Sequence, residues 1–334
     1  MAGGLGTRLR PLTDNIPKSL IPVAGRPVIL YLLDSFSRVS SDFILTASYR
    51  YEKIIEYFSG KPPIKGTFLF SVEREPLGTA GGLKKTEKYL DDTFLVGNAD
   101  TVFKEDMRKI LQIHKRDRNM ITIGLTKVDN PSEFGVVRLK DRRIIEFQEK
   151  PKSNPVSHLA NAGIYVMEQE VLDYIPRRGP SDIAKELIPA LQKEGKRIGG
   201  FEIGGIWIDI GRPLDLIRAN IIMSQNLPRK RRQPNIKGSS YIGKNVTIGK
   251  NCRIENTAIY DDVVIEDDVI LTNSVLYSGS FIGRMSKVTD SILSFNSVLG
   301  EGVSVNDSVI GGGVLLRKGG KIEGTVVSSN EDNP

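Results

Sequence analysis

The sequence predicts an α/β domain built on a mixed, mostly parallel sheet, followed by a short-period parallel solenoid. Three observations carry that prediction. Strand-like apolar runs alternate with amphipathic helical runs from residue 28 to residue 226. From residue 242 onward, Ile, Leu or Val recurs in steps of six, six and five. Between the two patterns stands the basic run Arg229-Lys230-Arg231-Arg232, flanked by Pro228 and Pro234. A chain of 334 residues is also too long for one ordinary core. The expected boundaries are 1–227 for the α/β domain, 228–235 for a basic linker and 236–330 for the solenoid, with a frayed tail from Asn330 to Pro334.

Composition narrows the function classes. An apolar share of 39% with 26% charged residues is that of a soluble globular protein. No apolar run reaches the roughly 18 residues of a membrane span, and no secretory signal opens the chain. The single cysteine, Cys252, excludes an internal disulfide and suits a reducing cytoplasm. A formal charge of +7 favours anionic ligands. The basic run has no interleaved aromatic side chains to stack bases, so it reads as a solvated linker and no nucleic-acid partner is expected.

In chain order, 28–36 is dense in apolar residues and reads as a helix, 43–47 as a buried strand, and 51–58 as a helix by its i, i+3, i+4 spacing. Strands follow at 67–72 and 94–96, then a helix around 107–114 and a strand at 121–125. Pro180-Ser181-Asp182 opens a helix, with Asp182 as its cap, and 213–225 is the last helix before the linker. In sheets of this kind ligands sit beyond the carboxyl ends of the strands, where Asp100 falls. His114 and His158 stand in no motif.

The most informative stretch is the first. Gly3-Gly4-Leu5-Gly6-Thr7-Arg8-Leu9-Arg10-Pro11-Leu12-Thr13 is followed by Pro17-Lys18-Ser19-Leu20. Three glycines within four positions let backbone amides close on phosphate oxygens, and Arg8, Arg10 and Lys18 add positive charge beside them. The Walker spacing is absent, and Leu9 stands where a dinucleotide loop needs its third glycine. Through Thr13 and Pro17-Lys18 the string resembles the signature of the sugar-1-phosphate nucleotidylyltransferases. In that family an apolar strand runs into the loop, whereas here only Met1 and Ala2 precede Gly3; the expected true start therefore lies upstream, or the chain is trimmed.

The resemblance implies a Rossmann-like nucleotidyltransferase sheet and names further residues. Gly3, Gly4, Leu5, Gly6, Thr7 and Arg8 would hold the nucleoside triphosphate, with Gly78 and Thr79 of Pro76-Leu77-Gly78-Thr79-Ala80-Gly81 at its base. Gly135, Glu149, Lys150, Asn161 and Gly163 would bind the sugar 1-phosphate, Lys150 at the phosphate. Asp100 and Asp209 match the family's metal-binding aspartates and imply Mg2+, for which carboxylates are suitable hard ligands. Arg8, Lys18, Asp100 and Lys150 would carry the rate. The Pro-Leu-Gly-Thr-Ala-Gly wording is most like mannose-1-phosphate guanylyltransferases, which implies GDP-mannose made from GTP. Glucose or heptose 1-phosphates with UTP, dTTP or GTP are the alternatives, together with a non-catalytic regulatory paralogue.

In the second part, positions 242, 248, 254 repeat as 259, 265, 271, then 276, 282, 288, then 293, 299, 305, then 310, 316, 322, a shift of 17 each time. A second inward position holds Val246, Cys252, Ala258, Val263, Val269 and Val275. A three-sided coil with one shortened corner accounts for the period. The pattern resembles the hexapeptide-repeat left-handed β-helix. Acyltransferases on such solenoids depend on a histidine base, and none follows His158. The solenoid is therefore expected to be structural, and its open ends suggest a homo-oligomer.

Overall fold

The computed structural model describes residues 1–60, 62–225, 227 and 236–328; the basic run 229–232 and the tail 330–334 lie outside the described residues. The chain forms two compact units that do not follow its order. One comprises Met1–Gly4 and Val28–Trp207, the other Leu5–Pro27 and Ile208–Pro334.

The first two strands, β1 (Pro22–Val23) and β2 (Arg26–Pro27), make a tight antiparallel hairpin in the second unit. The first unit then runs α1 (Ile29–Phe36), β3 (Asp42–Ala47), α2 (Tyr51–Ser59), β4 (Thr67–Val72), α3 (Gly78–Lys85), β5 (Thr93–Gly97), β6 (Thr101–Lys104) and α4 (Met107–Arg116). It continues with β7 (Ile121–Lys127), β8 (Gly135–Lys140), β9 (Arg143–Glu149), β10 (Leu159–Glu168), α5 (Ile188–Lys193) and β11 (Ile198–Glu202). Strand β12 (Ile206–Asp209) carries the chain into the second unit and its helix α6 (Pro213–Gln225).

The main sheet is mixed, in the order β5-β10-β7-β11-β9-β8. β7 and β11 pair in parallel, while β10 lies antiparallel to both β5 and β7, and β9 antiparallel to β8 and β11. Four of the six strands (β5, β7, β8, β11) thus run the same way. β3 and β4 form a separate parallel pair. Ile121, Ile123 and Leu125 on one face of β7 and Thr122 on the other are wholly buried, as a central strand covered on both faces requires. Helix α4 starts where the Asp106 carboxylate accepts from the Arg108 amide, and it buries Met107, Ile110 and His114. His114 meets Thr122 through Nδ1 at 2.9 Å and Glu168 through Nε2 at 2.7 Å. Burial pushes its pKa down, against the pull of Glu168, so its place is a satisfied core.

Residues Met1 and Ala2 bridge two strand edges. The Met1 amine donates to the Gly97 carbonyl at 2.7 Å, and the Ala2 amide to Thr46 O at 2.8 Å. Beside them lies an apolar cavity of about 690 Å³, lined in part by Leu32, Phe36, Phe43, Leu45, Phe94 and Val96.

The solenoid part of the second unit stacks three parallel ladders of six, six and five strands. The register advances by 17, as in Ile254 to Leu271 to Val288 to Val305 to Ile322. Ile259, Leu276, Leu293 and Ile310 are fully buried on a second side, and Ile265, Ile282 and Leu299 on the third. Each such side chain contributes roughly 1.5–3 kcal/mol by leaving water. Most coil corners need left-handed backbone, supplied by Asn245, Asn251, Asp262, Asp268 and Asn296. Met285 occupies such a corner at φ 57 with its side chain 56% exposed. Met285→Asn is therefore expected to stabilise the chain by about 0.5–1 kcal/mol, read as a higher urea midpoint at unchanged slope.

Candidate active site

The loop residues divide between the units. In the first, Gly3 rests against Ser48 and Gly4 is exposed, with open space where a Cβ would stand. In the second, Gly6 takes φ 63, where an added Cβ would come within 2.8 Å of Thr13 Cγ2. Thr13 Oγ1 donates to the Gly6 carbonyl at 2.9 Å, and Leu9 N donates to the same oxygen at 3.0 Å. Leu9 and Leu12 are buried and anchor the loop, while Leu5, Thr7 and Arg8 stay exposed. An anchored turn with an outward cationic rim is an arrangement suited to an anionic guest.

Lys18 opens the 3-10 turn Lys18–Leu20 and is largely buried. Its Nζ meets Asp209 Oδ1 at 3.4 Å across 191 residues of chain. Arg8 also reaches this place: a Cβ on Gly211 would stand 3.0 Å from Asp209 Oδ2 and 3.3 Å from Arg8 Nη2. The fold thus gathers Arg8, Lys18 and Asp209 around the glycine after β12.

The other sequence-expected residues lie in the first unit. Asp100 follows the end of β5 and precedes β6, half-buried. Gly78 has φ 71, and a Cβ there would meet the Ser181 carbonyl at 2.4 Å. Thr79 Oγ1 donates to Asp182 Oδ2 at 3.0 Å and accepts from the Ile183 amide at 2.8 Å. Asp182 caps the π-helical turn Ile183–Leu187, as its position predicts, and also holds Thr79.

Gly135 pairs with Glu149 across β8 and β9, and a Cβ there would lie 2.8 Å from Glu149 Oε2. Burial pushes the Glu149 carboxyl pKa up, while Lys150, whose Nζ is 3.9 Å from Oε1, pulls it back. Asn161 sits at an irregularity in the β10–β7 ladder, between Asn161 and Tyr165. Its Nδ2 donates to Tyr165 Oη at 2.9 Å and its Oδ1 accepts from Gly163 N at 2.9 Å. Gly163 has φ 69 and backs onto Asn98, whose Nδ2 would be 2.2 Å from a Cβ. Tyr165, wholly buried and with its pKa raised by burial, and Asn98 were not singled out by the sequence, since an isolated Tyr or Asn on a strand carries no motif. Among the described residues no three His, Cys, Asp or Glu side chains cluster to hold a metal.

The nucleotidyl transferase family matches residues 1–226, and the GMPPB C-terminal domain matches residues 229–331. The chain belongs to the nucleotidyl transferase family. The chain is 35% identical over 255 residues to a mannose-1-phosphate guanyltransferase of Saccharomyces cerevisiae, covering 73% of this chain and 69% of that one. It is 36% identical over 256 residues to the bifunctional protein GlmU of Methanococcus vannielii, covering 74% of this chain. It spans 58% of that relative's length. A solved Bacillus anthracis structure, described as a glucose-1-phosphate thymidylyltransferase in complex with a sucrose, superimposes with TM-score 0.61 at 28% identity, over 69% of this chain and 95% of that one.

Proposed function

We propose that this nucleotidyl transferase joins GTP and mannose 1-phosphate into GDP-mannose, releasing pyrophosphate. The observation that carries the reading is the gathering of Arg8, Lys18 and Asp209, two cations and a carboxylate brought together from opposite ends of the α/β sequence. The guanyltransferases among its relatives and the GMPPB C-terminal domain support mannose and guanine. The thymidylyltransferase likeness supports a second reading, glucose 1-phosphate with dTTP or UTP.

In the reaction, a phosphate oxygen of the sugar 1-phosphate attacks the α-phosphorus in line. The bond from that phosphorus to the bridging oxygen breaks, and pyrophosphate leaves with the electron pair. Positioning and charge carry such a step, because little covalent chemistry falls to the protein. The amides of Gly3 to Arg8 would cradle the triphosphate, with Arg8 and Lys18 on its charge and Gly78 and Thr79 at the base. Lys150 orients the attacking phosphate, and Glu149 and Asn161 accept and donate to sugar hydroxyls beside Gly135 and Gly163.

Asp209 offers partly exposed hard oxygens, and its bond to Lys18 is long for a charged pair, which supports a divalent ion at this carboxylate. Asp100 and Asp209 would hold Mg2+, which neutralises phosphate charge when bound. A homo-oligomer in the cytoplasm belongs to the same proposal. The solenoid's open ends support the first, and the single cysteine, which allows no internal disulfide, supports the second. Among the described residues no helix is long and apolar enough to cross a membrane.

The test is a pyrophosphate-release matrix of four nucleoside triphosphates against mannose, glucose and heptose 1-phosphates, with and without Mg2+. The GTP and mannose 1-phosphate cell is expected to lead by at least about tenfold, and only with metal, since a site built to pair substrate polar groups rejects analogues that leave them unpaired. Release in no cell would leave the regulatory paralogue.

A further inference from the structure

The second unit holds an aromatic column on one side of the solenoid. Tyr241, Tyr260, Tyr277 and Phe295 stack in succession, with ring centroids 5.2, 4.7 and 4.9 Å apart. Stacking alone would make this an ordinary packing ladder. The hydroxyl groups do something else. Tyr277 is fully buried, and its Oη donates to the Pro22 carbonyl at 3.0 Å. Tyr260 Oη lies 2.8 Å from that same carbonyl and 2.7 Å from Asn220 Oδ1. Asn220 Oδ1 also accepts from the Ala24 amide at 2.9 Å, and Asn220 Nδ2 donates to Leu216 O within α6. Tyr241 closes over the turn of the hairpin, where a Cβ on Gly25 would come within 2.4 Å of its hydroxyl.

Two segments are tied at this node. The β1–β2 hairpin begins four residues after Lys18, and the turn between them is continuous through Ile21 N to Lys18 O at 3.1 Å. Helix α6, which carries Asn220, begins four residues after Asp209. The column therefore grips the segment behind Lys18 and the segment behind Asp209 at once. The two side chains that meet at 3.4 Å have the solenoid as their common floor. We propose that Tyr260 and Tyr277 are positioning residues for nucleotidyl transfer: through Pro22 and Asn220 they fix Lys18 against Asp209, so the solenoid serves turnover as well as architecture. This rests on the transfer reading above.

The test compares the full chain with Tyr260→Phe, Tyr277→Phe and the double variant, which keep the stacked rings and remove the hydroxyls. Amide hydrogen exchange needs no substrate. In the double variant the amides of Leu20, Ile21 and Ala24 should exchange about tenfold faster, the scale of a buried carbonyl losing its donor, while solenoid amides such as Leu276 N are unmoved. The KM for the nucleoside triphosphate should rise about tenfold, because Lys18 is displaced, and the KM for the sugar 1-phosphate should stay within about twofold. Unchanged exchange at Leu20 to Ala24, or equal rises in both KM values with a lowered melting temperature, overturns the proposal and leaves the column as packing. A parent chain that releases no pyrophosphate while exchange still responds overturns the transfer reading, and the positioning role with it.

Discussion

Asp100→Asn is expected to lower pyrophosphate release about 100-fold or more while the fold is kept. Asn matches Asp in shape, and residue 100 lies half-buried in the turn between β5 and β6, so the exchange leaves no cavity. What is lost is a negative oxygen in the place proposed for a divalent ion. Removing one preorganised charge partner typically costs 10²–10³ in turnover, roughly 3–4 kcal/mol. The measurement is release from GTP and mannose 1-phosphate beside a thermal unfolding scan. An unaltered rate would take Asp100 out of the mechanism. Asp209→Asn is the poorer probe, because that carboxylate also meets the nearly buried Lys18 and its loss perturbs the site's architecture.

Gly163→Ala should be the most damaging small substitution for stability near the proposed sugar site. Two costs coincide there. A non-glycine residue at φ 69 pays about 1–2 kcal/mol in backbone strain, and a methyl 2.2 Å from Asn98 Nδ2 adds an overpacking cost of about 1–3 kcal/mol. A loss of about 2–5 kcal/mol in urea unfolding is expected. The double variant Asn98→Ala with Gly163→Ala removes the collision and keeps the strain, so it should recover about half. Because Gly163 N donates to Asn161 Oδ1, the single variant should also raise the KM for the sugar 1-phosphate. A Gly163→Ala chain as stable as the parent would show that the turn relaxes freely.

Much of the fold is legible in the residues themselves. The solenoid is clearest because one coil repeats in fixed steps, and each Ile, Leu or Val of that series from Ile254 to Leu316 lies buried. Helices α1, α2 and α4 fall where apolar spacing puts them. The long-range order of the sheet does not show in the chain, since β10 inserts between β5 and β7 on the strength of contacts with no local signature. The site is half legible. Gly78 and Gly163 declare themselves as glycines, but what forces them, the Ser181 carbonyl and Asn98, is visible only in space. Asp182 reads as a cap, and its hold on Thr79 across 103 residues cannot be read from either neighbourhood. Likewise the linear division at 228–235 gives no hint that Leu5–Pro27 belongs with the residues beyond 207.

That last arrangement sets a timetable for synthesis. The Pro22 carbonyl leaves the ribosome 255 residues ahead of the Tyr277 hydroxyl that donates to it. At 5–20 residues per second, the hairpin waits roughly 10–50 s for its partner. A nascent chain cut short before the second solenoid coil has every loop glycine and cation yet no seat for them, so catalytic competence would be conferred only once those coils have been made.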